Sequence, residues 1–490
     1  MADKIDRAAW PKTPGYGWGD AEWMSERAKN AASPRGRPMN LYAMHTGSWR
    51  RGDNGALLSY AEIAELLAPY VKDMGYTHIG LTAGDGENLW GFFADGFVAA
   101  ASQYGDPRGF MELVDRCHRA GVGVVMDWTP PECLGFDFGS RGVCAALTSE
   151  ALFWIEVFHL DGLRADISDM LYPDRILDKD RADIRNARAD TNASAFLGRL
   201  CRTVADAFPG ALMIAEQRFD GIPVTLAAES GGLGFSMKWN SEWQDNTLSF
   251  ISLERELRPY GYERLADAAG RVFSERHILP MPHSEAAGRS LIDRIPGGMD
   301  DKFAGARVYL AFMTAHPGKK LLFMGCELGQ LSEWNPEYSL DWHLLDSESH
   351  RVFRDYVRAL NRLYLETPAL WDGDFSPGGF EWLCRDDPQG GTLAFYRASL
   401  THAGGGLIAV FNFSATARIG YRVGVPELHG GDAARAYREA FNSDNRGFGG
   451  RGAVNTGVMT AKPLPWNGRA RSIQLNLPPC GAVFLTAAEQ

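Results

Sequence analysis

Along the first 370 residues, short apolar runs alternate with longer segments whose apolar residues recur every three or four positions. Leu58–Met74 has this helical spacing and ends at Gly75, whereas Val122–Asp127 is an apolar strand closed by a carboxylate. Strands are predicted at 41–47, 77–82, 122–127, 160–166, 211–216, 233–239, 277–282 and 320–325. Helices are predicted at 21–29, 58–74, 110–120, 147–158, 193–207, 262–273, 304–315 and 352–366. About eight strand–helix alternations predict an α/β fold of the (β/α)₈ TIM barrel type.

The pattern changes after residue 371. Short strands separated by Gly, Pro, Asn and Asp follow at 380–383, 393–397, 407–413, 418–423 and 482–486, which predicts an antiparallel β-sandwich. The predicted organisation is therefore a lead-in segment at 1–38, a barrel at 39–370 and a C-terminal β domain at 371–490.

Charge and cysteine usage narrow the possible partners. The net charge is −11 with acidic and basic residues interspersed, which argues against nucleic acid and anionic membranes. The first residues lack the apolar core of a signal peptide, and no run of about 18 apolar residues is present. The seven cysteines form no C-x-x-C pair, as expected for reduced thiols in a cytoplasmic protein without a metal site or other cofactor. The pattern predicts no particular oligomeric state.

The stretch Asp161–Asp166 is the first candidate for chemistry. In a strand, Arg164 and Asp166 point to the same side, and a cation at this spacing keeps the carboxylate ionised and oriented. Such an Asp is suited to be the nucleophile of a covalent sugar chemistry. The alternative is that Asp166 only caps the next helix, since Asp is a good N-cap residue.

Reactive groups of a (β/α)₈ barrel gather at the carboxyl ends of its strands. The ionisable residues that end predicted strands here are Asp127, Arg164, Asp166, Glu216, His283 and Glu285. Asp166 and Glu216 are the candidate carboxylate pair of a retaining glycosidase or transglycosylase. The alternative for Glu216 is a solvated strand end. His283 either bonds a sugar hydroxyl or is a core histidine.

Several motifs, in the same order along the chain, carry a family resemblance. They are His45–Arg51, Val124–Trp128, Asp161–Asp166, Ile214–Glu216, Gly231–Asn240, Pro317–Gly325 and Glu333–Leu345. With these motifs the chain resembles the bacterial 1,4-α-glucan branching enzymes of the α-amylase superfamily, glycoside hydrolase family thirteen. The resemblance implies that Asp166 is the nucleophile and Glu216 the acid/base. It also implies that the substrate-binding positions are Arg164, Asp127, His283, Glu285, Ser284, Trp90 and Phe92.

The chain departs from the family pattern at three places. The family's His-Asp-Glu, whose Asp is its third catalytic carboxylate, is His283-Ser284-Glu285 here. The family's Trp-Gly-Tyr-Gln is Trp90-Gly-Phe92-Phe, which keeps a ring and loses its hydroxyl. The family's Asp-Trp-Val-Pro-Gly-His is Asp127-Trp-Thr-Pro-Pro-Glu132, without the His, and the insertion that follows strand three is shortened.

Two functional hypotheses follow from the retained and altered residues. The first is a branching enzyme-like retaining α-transglycosylase that acts on glycogen- or starch-type α-glucan through an altered donor subsite. The alternative is a catalytically impaired or inactive homologue that binds α-glucan or a glucan-metabolising partner, with the barrel as scaffold.

Overall fold

The computed structural model describes most of the chain. The described residues are 7, 10, 12, 15–30, 36–82, 104–128, 136–172, 189–218, 221–267, 271–402, 405–427 and 436–488, with the backbone of 90–92 and 98–100. Among them, no helix is both long and apolar enough to cross a bilayer.

Eight parallel strands form a closed barrel in chain order, which confirms the predicted fold. They are β1 Asn40–His45, β2 His78–Thr82, β3 Gly123–Asp127, β4 Gly162–Asp166, β5 Leu212–Glu216, β6 Met237–Trp239, β7 His277–Met281 and β8 Lys319–Phe323. β6 is shorter than predicted because Gly234, with φ 82°, is in the left-handed region.

The helices precede, connect or follow the strands of this barrel. They are α1 Ala21–Lys29, α2 Thr46–Trp49, α3 Tyr60–Asp73, α4 Pro107–Arg119, α5 Arg141–Val157, α6 Ser168–Leu171, α7 Thr191–Ala207, α8 Ser241–Ile251, α9 Arg258–Asp267, α10 His283–Gly288, α11 Leu291–Arg294, α12 Met299–Ala315 and α13 Glu348–Glu366. Short 3₁₀ helices lie at 228–230, 255–257, 342–346, 368–370, 377–379 and 446–448.

Local sequence signals explain where several helices begin. Ser59 accepts the Glu62 amide while the Glu62 side chain binds the Ser59 amide, a capping box that starts α3. Asp106 caps α4, whose first residue is Pro107. Where a helix was predicted at 262–273, α9 begins earlier, at Arg258, with Pro259 in its first turn.

The C-terminal domain consists of two antiparallel sheets, as predicted. Its strands are β9 Phe380–Asp387, β10 Thr392–Ala398, β11 Gly406–Asn412, β12 Arg418–Gly424, β13 Ala436–Asn442, β14 Met459–Thr460, β15 Ser472–Leu477 and β16 Gly481–Ala487. Six strands form one sheet in the order β9-β10-β11-β16-β13-β14, and β12 pairs with β15. Val410 and Val483 of the large sheet share a core with Val423 and Ile473 of the small one. The opposite face of the large sheet packs Phe411 on Phe312 of α12.

A buried ionic cluster attaches the lead-in segment to the amino-terminal end of the barrel. The His118 ring lies between two carboxylates, with Nδ1 2.8 Å from Asp20 Oδ2 and Nε2 2.8 Å from Asp161 Oδ2. Arg27 Nη1 and Trp23 Nε1 donate to the other Asp161 oxygen, Oδ1. Burial lowers the pKa of the His118 ring, but Asp161 and Asp20 outweigh burial and raise it to about 9. The same contacts hold the pKa of both carboxyls below the ordinary range.

This cluster makes stability depend on pH. The stabilisation from His118 is complete below its unfolded pKa of about 6.5 and is lost as pH rises through about 9. The carboxylates act in the opposite direction, and their contribution is lost as pH falls below about 4. We expect His118→Gln to cost about 3 kcal/mol near pH 6 and to flatten the decline in Tm between pH 6.5 and 9. Thermal unfolding across pH 5–9 measures this, with the exposed His402→Gln as control. An unchanged alkaline decline in His118→Gln would contradict it.

Candidate active site

The interior of the barrel, towards the carboxyl ends of its strands, holds a small cavity of about 20 Å³. Its polar lining is Asp127, Arg164 and His283, and Trp239 closes one side. Its apolar lining comes from Leu41, Ala43, Gly80, Val125, Ile214 and Leu321. A space of this size holds about one water molecule, and it marks where polar residues at strand ends meet an otherwise apolar barrel interior.

Arg164 is the centre of the polar network. Its Nε donates to Asp127 Oδ1 at 2.7 Å, its Nη2 donates to Asp127 Oδ2, and its Nη1 donates to Glu216 Oε2 at 2.8 Å. The guanidinium also lies over the Trp239 ring, 4.6 Å from the ring centroid. Burial lowers the pKa of Arg164, but Asp127 and Glu216 outweigh burial and raise it. Arg164 is therefore a permanent cation that fixes two carboxylates at once.

Register places the two proposed catalytic carboxylates side by side. Asp166 and Glu216 are Cα partners at the ends of the neighbouring parallel strands β4 and β5, and Asp127 and Arg164 are partners one strand earlier. Neighbouring strands lie about 4.8 Å apart, so both carboxylates face the same small region. Asp166 Oδ1 accepts the Ser168 amide at 3.0 Å, while the N-cap residue of α6 is Ile167. Asp166 is thus oriented by the start of α6 without being its N-cap.

Glu216 is almost enclosed, with 9% of its side chain exposed against 25% for Asp166. Burial raises the pKa of the Glu216 carboxyl, Arg164 and Arg218 oppose the rise, and Asp166 and Asp127 add to it; the net shift is upward. A buried carboxyl with a raised pKa beside a more exposed one is the asymmetry that separates an acid from a nucleophile.

The residues after β7 lie on α10. His283, its first residue, packs edge-on against Trp334, with ring centroids 6.0 Å apart, and its ring lines the cavity. Ser284 is exposed. Glu285 accepts from Gln244 at 3.1 Å and pairs with Arg294 at 2.7 Å, contacts that tie α10 to α8 and α11. The structure thus brings His283 to the cavity and gives Glu285 protein partners.

Trp90 and Phe92 lie in a short strand that pairs antiparallel with Val98–Ala100, between β2 and α4. Their side chains are outside the described residues, as is the loop after β3 that contains Glu132. Their predicted contacts with substrate stay predictions.

Two residues of the site, Trp239 and Arg218, were not predicted from the sequence. Trp239 supports Arg164 from the end of β6, and Arg218 contacts Glu216 from two positions beyond it. The signal for Arg218 was available, because it stands two residues after Glu216, as Asp166 stands two after Arg164. Among the described residues, no group of three His, Cys, Asp or Glu side chains is placed to hold a metal ion.

Comparison with known proteins agrees with this fold. Residues 382–488 match the family described as alpha amylase, C-terminal all-beta domain. The chain is 36% identical to the 1,4-alpha-glucan branching enzyme GlgB of Desulfitobacterium hafniense, over 96% of this chain and 78% of the relative. It is 39% identical to the 1,4-alpha-glucan branching enzyme GlgB 1 of Xanthomonas oryzae, over 96% and 68%.

Solved structures share the fold at low sequence identity. The alpha-amylase from H. orenii superposes with a TM-score of 0.61 at 14% identity, covering 92% of this chain and all of that one (100%). The alpha-amylase from Geobacillus thermoleovorans superposes with a TM-score of 0.62 at 13% identity, covering 92% and 98%.

The closed barrel, its strand-end carboxylates and the all-β C-terminal domain define a protein of the α-amylase superfamily. Within that class, the relatives at 36–39% identity over most of the chain decide the family. The chain belongs to the 1,4-alpha-glucan branching enzyme family, as the sequence motifs predicted.

Proposed function

We propose that this protein is a retaining α-transglycosylase of the branching type that acts on glycogen- or starch-type α-glucan. The observation that carries the proposal is that Asp166 and Glu216 are Cα partners on neighbouring strands, with Arg164 donating to Glu216. The names of the relatives supply the substrate class.

In the first step, Asp166 attacks the anomeric carbon of the donor sugar, and Glu216 gives its proton to the departing glycosidic oxygen. The product is a glycosyl ester on Asp166 and a released chain end. In the second step, Glu216 takes the proton of an acceptor hydroxyl, and that oxygen displaces Asp166 from the anomeric carbon. Two inversions retain the configuration, and the number of reducing ends does not change.

The donor sugar is held, in this proposal, by the side chains around the cavity. Arg164 fixes the directions of Asp127 and Glu216, and Asp127 and His283 offer hydrogen bonds to sugar hydroxyls. Ser284, Glu285, Trp90 and Phe92 complete the substrate-binding set. Ser284 and Phe92 make the donor subsite differ from that of the family pattern.

A second candidate is a homologue that binds α-glucan with little or no turnover. Ser284 favours this second candidate. The exposed serine stands where the family pattern has its third catalytic carboxylate, and it offers no carboxylate there. Losing one preorganised contact to the transition state costs about 3–4 kcal/mol, or about 10²–10³ in rate.

Incubation with amylose separates the two candidates. We expect the iodine stain to fall without new reducing ends, since transfer conserves their number. New reducing ends would mean hydrolysis instead. An unchanged stain and unchanged reducing ends, with measurable binding of amylose, would contradict transfer and favour the second candidate.

A further inference from the structure

Arg218 lies across the gap between the two proposed catalytic carboxylates. Its Nε is 3.3 Å from Glu216 Oε1, and its Nη2 is 3.9 Å from Asp166 Oδ2. Arg164 already occupies the other Glu216 oxygen, so a different guanidinium holds each oxygen of this carboxylate. Both cations favour the charged form of Glu216 and so oppose the upward pKa shift that burial and the neighbouring carboxylates produce.

The two arginines differ in their freedom to move. Arg164 is 9% exposed and is fixed by both Asp127 oxygens and the Trp239 ring. Arg218 is 57% exposed, and its described contacts within the site are long. An ion pair whose cation is this exposed is screened by solvent, and it costs less to break than a pair that is buried on both sides. Of the two cations on Glu216, only Arg218 can leave without breaking a buried network.

A glucan must place its scissile bond between the nucleophile and the acid/base. That is the gap that the Arg218 guanidinium spans in the free protein. We propose that Arg218 is a positioning residue that favours the ionised form of Glu216 until an α-glucan displaces it, so that sugar binding and protonation of the acid are coupled. This inference rests on the proposed function, because it assigns Glu216 the role of acid.

The charges around Glu216 give the direction of the coupling. Burial and the neighbouring carboxylates raise the pKa of Glu216, and Arg164 and Arg218 lower it. Removing one of the two cations therefore raises that pKa further, and the carboxylate takes one proton from the buffer on Oε1. The charged groups that face Glu216 or Arg218 are Asp127 on β3, Arg164 and Asp166 on β4, Asp169 on α6 and Asp245 on α8.

Calorimetric titration with maltoheptaose in two buffers of different ionisation enthalpy measures the protons taken up on binding. We expect the native protein to show a net uptake of protons when it binds the glucan. Arg218→Met should take up fewer protons, because its Glu216 is already freed from one cation. It should also bind about two- to fivefold more tightly, since no ion pair has to be broken. Arg218→Lys, which keeps a cation, should retain most of the proton uptake.

The controls separate this inference from the proposed function. Arg202→Met removes an exposed arginine of α7 and should leave affinity and proton uptake unchanged. Equal proton uptake in the native protein and Arg218→Met, with glucan bound by both, would overturn the role of Arg218 and leave the proposed function standing. Weaker binding by Arg218→Met would also overturn it, since Arg218 would then be a sugar contact. If no variant binds maltoheptaose, the proposed function is wrong and this inference falls with it.

Discussion

Asp166→Asn is expected to abolish glucan transfer, with a loss of about 10⁴-fold or more in kcat. The amide keeps the shape of the side chain and can still accept the Ser168 amide that orients Asp166. It cannot form the glycosyl ester, because a neutral amide oxygen is a poor nucleophile. Binding should survive, so a measured Kd for maltoheptaose close to the native value would assign the loss to chemistry.

Asp169→Asn is the matched control for Asp166→Asn. Asp169 lies on α6, three residues further on, where burial and the charge of Asp166 raise its pKa. It therefore lies close to Asp166 without a proposed role in catalysis, and its variant should retain transfer. If Asp166→Asn and Asp169→Asn lost activity equally, a general electrostatic effect would explain the loss and Asp166 would not be the nucleophile. Initial rates from the iodine assay on amylose provide the comparison.

The alternation of side chains within a strand is local information, and much of the candidate site could be predicted from it. It was enough to predict that Arg164 and Asp166 share one side of β4 and that polar residues end several barrel strands. The order of the strands around the barrel followed from chain order, because parallel neighbours joined by helices are sequential in this fold. The sequence alone was therefore enough to predict that one end of the barrel holds Asp127, Arg164, Asp166 and Glu216.

The register of the barrel strands and the contacts between residues far apart in the chain could not be predicted from local patterns. The stagger of closed strands decides that Asp166 is level with Glu216, and no local pattern encodes that stagger. The contacts of His118 with Asp20 join residues 98 positions apart, so neither side chain alone predicts them. Helix α8 was missed because it buries polar residues, Gln244 and Thr247, on the same helix as Trp243.

The charge around the proposed site explains why position 284 matters. Arg164 and Arg218 face Asp127, Asp166 and Glu216, and the exposed Ser284 at the start of α10 adds no charge. A sugar that passes through an oxocarbenium-like transition state develops positive charge at its ring. A third carboxylate stabilises that charge and grips hydroxyls, and a serine hydroxyl does this only weakly.

Ser284→Asp is accordingly expected to raise kcat/KM for amylose by about 10²-fold, through kcat more than through KM, because the added contact acts mainly in the transition state. The substitution should be tolerated structurally, since Ser284 is exposed and an acidic residue in the first turn of α10 interacts favourably with the helix dipole.

Ser284→Asn is the matched control: the Asn side chain has nearly the same shape as Asp but no charge, so this variant should gain little activity. Steady-state rates on amylose, combined with reducing-end counts, measure both. A gain in Ser284→Asp alone would mean that catalysis here is limited by the missing carboxylate while the Asp166–Glu216 pair is competent. Equal rates in all three proteins would mean that position 284 does not reach the donor sugar, and the altered donor subsite would then have to be explained by the loops that carry Phe92 and Glu132.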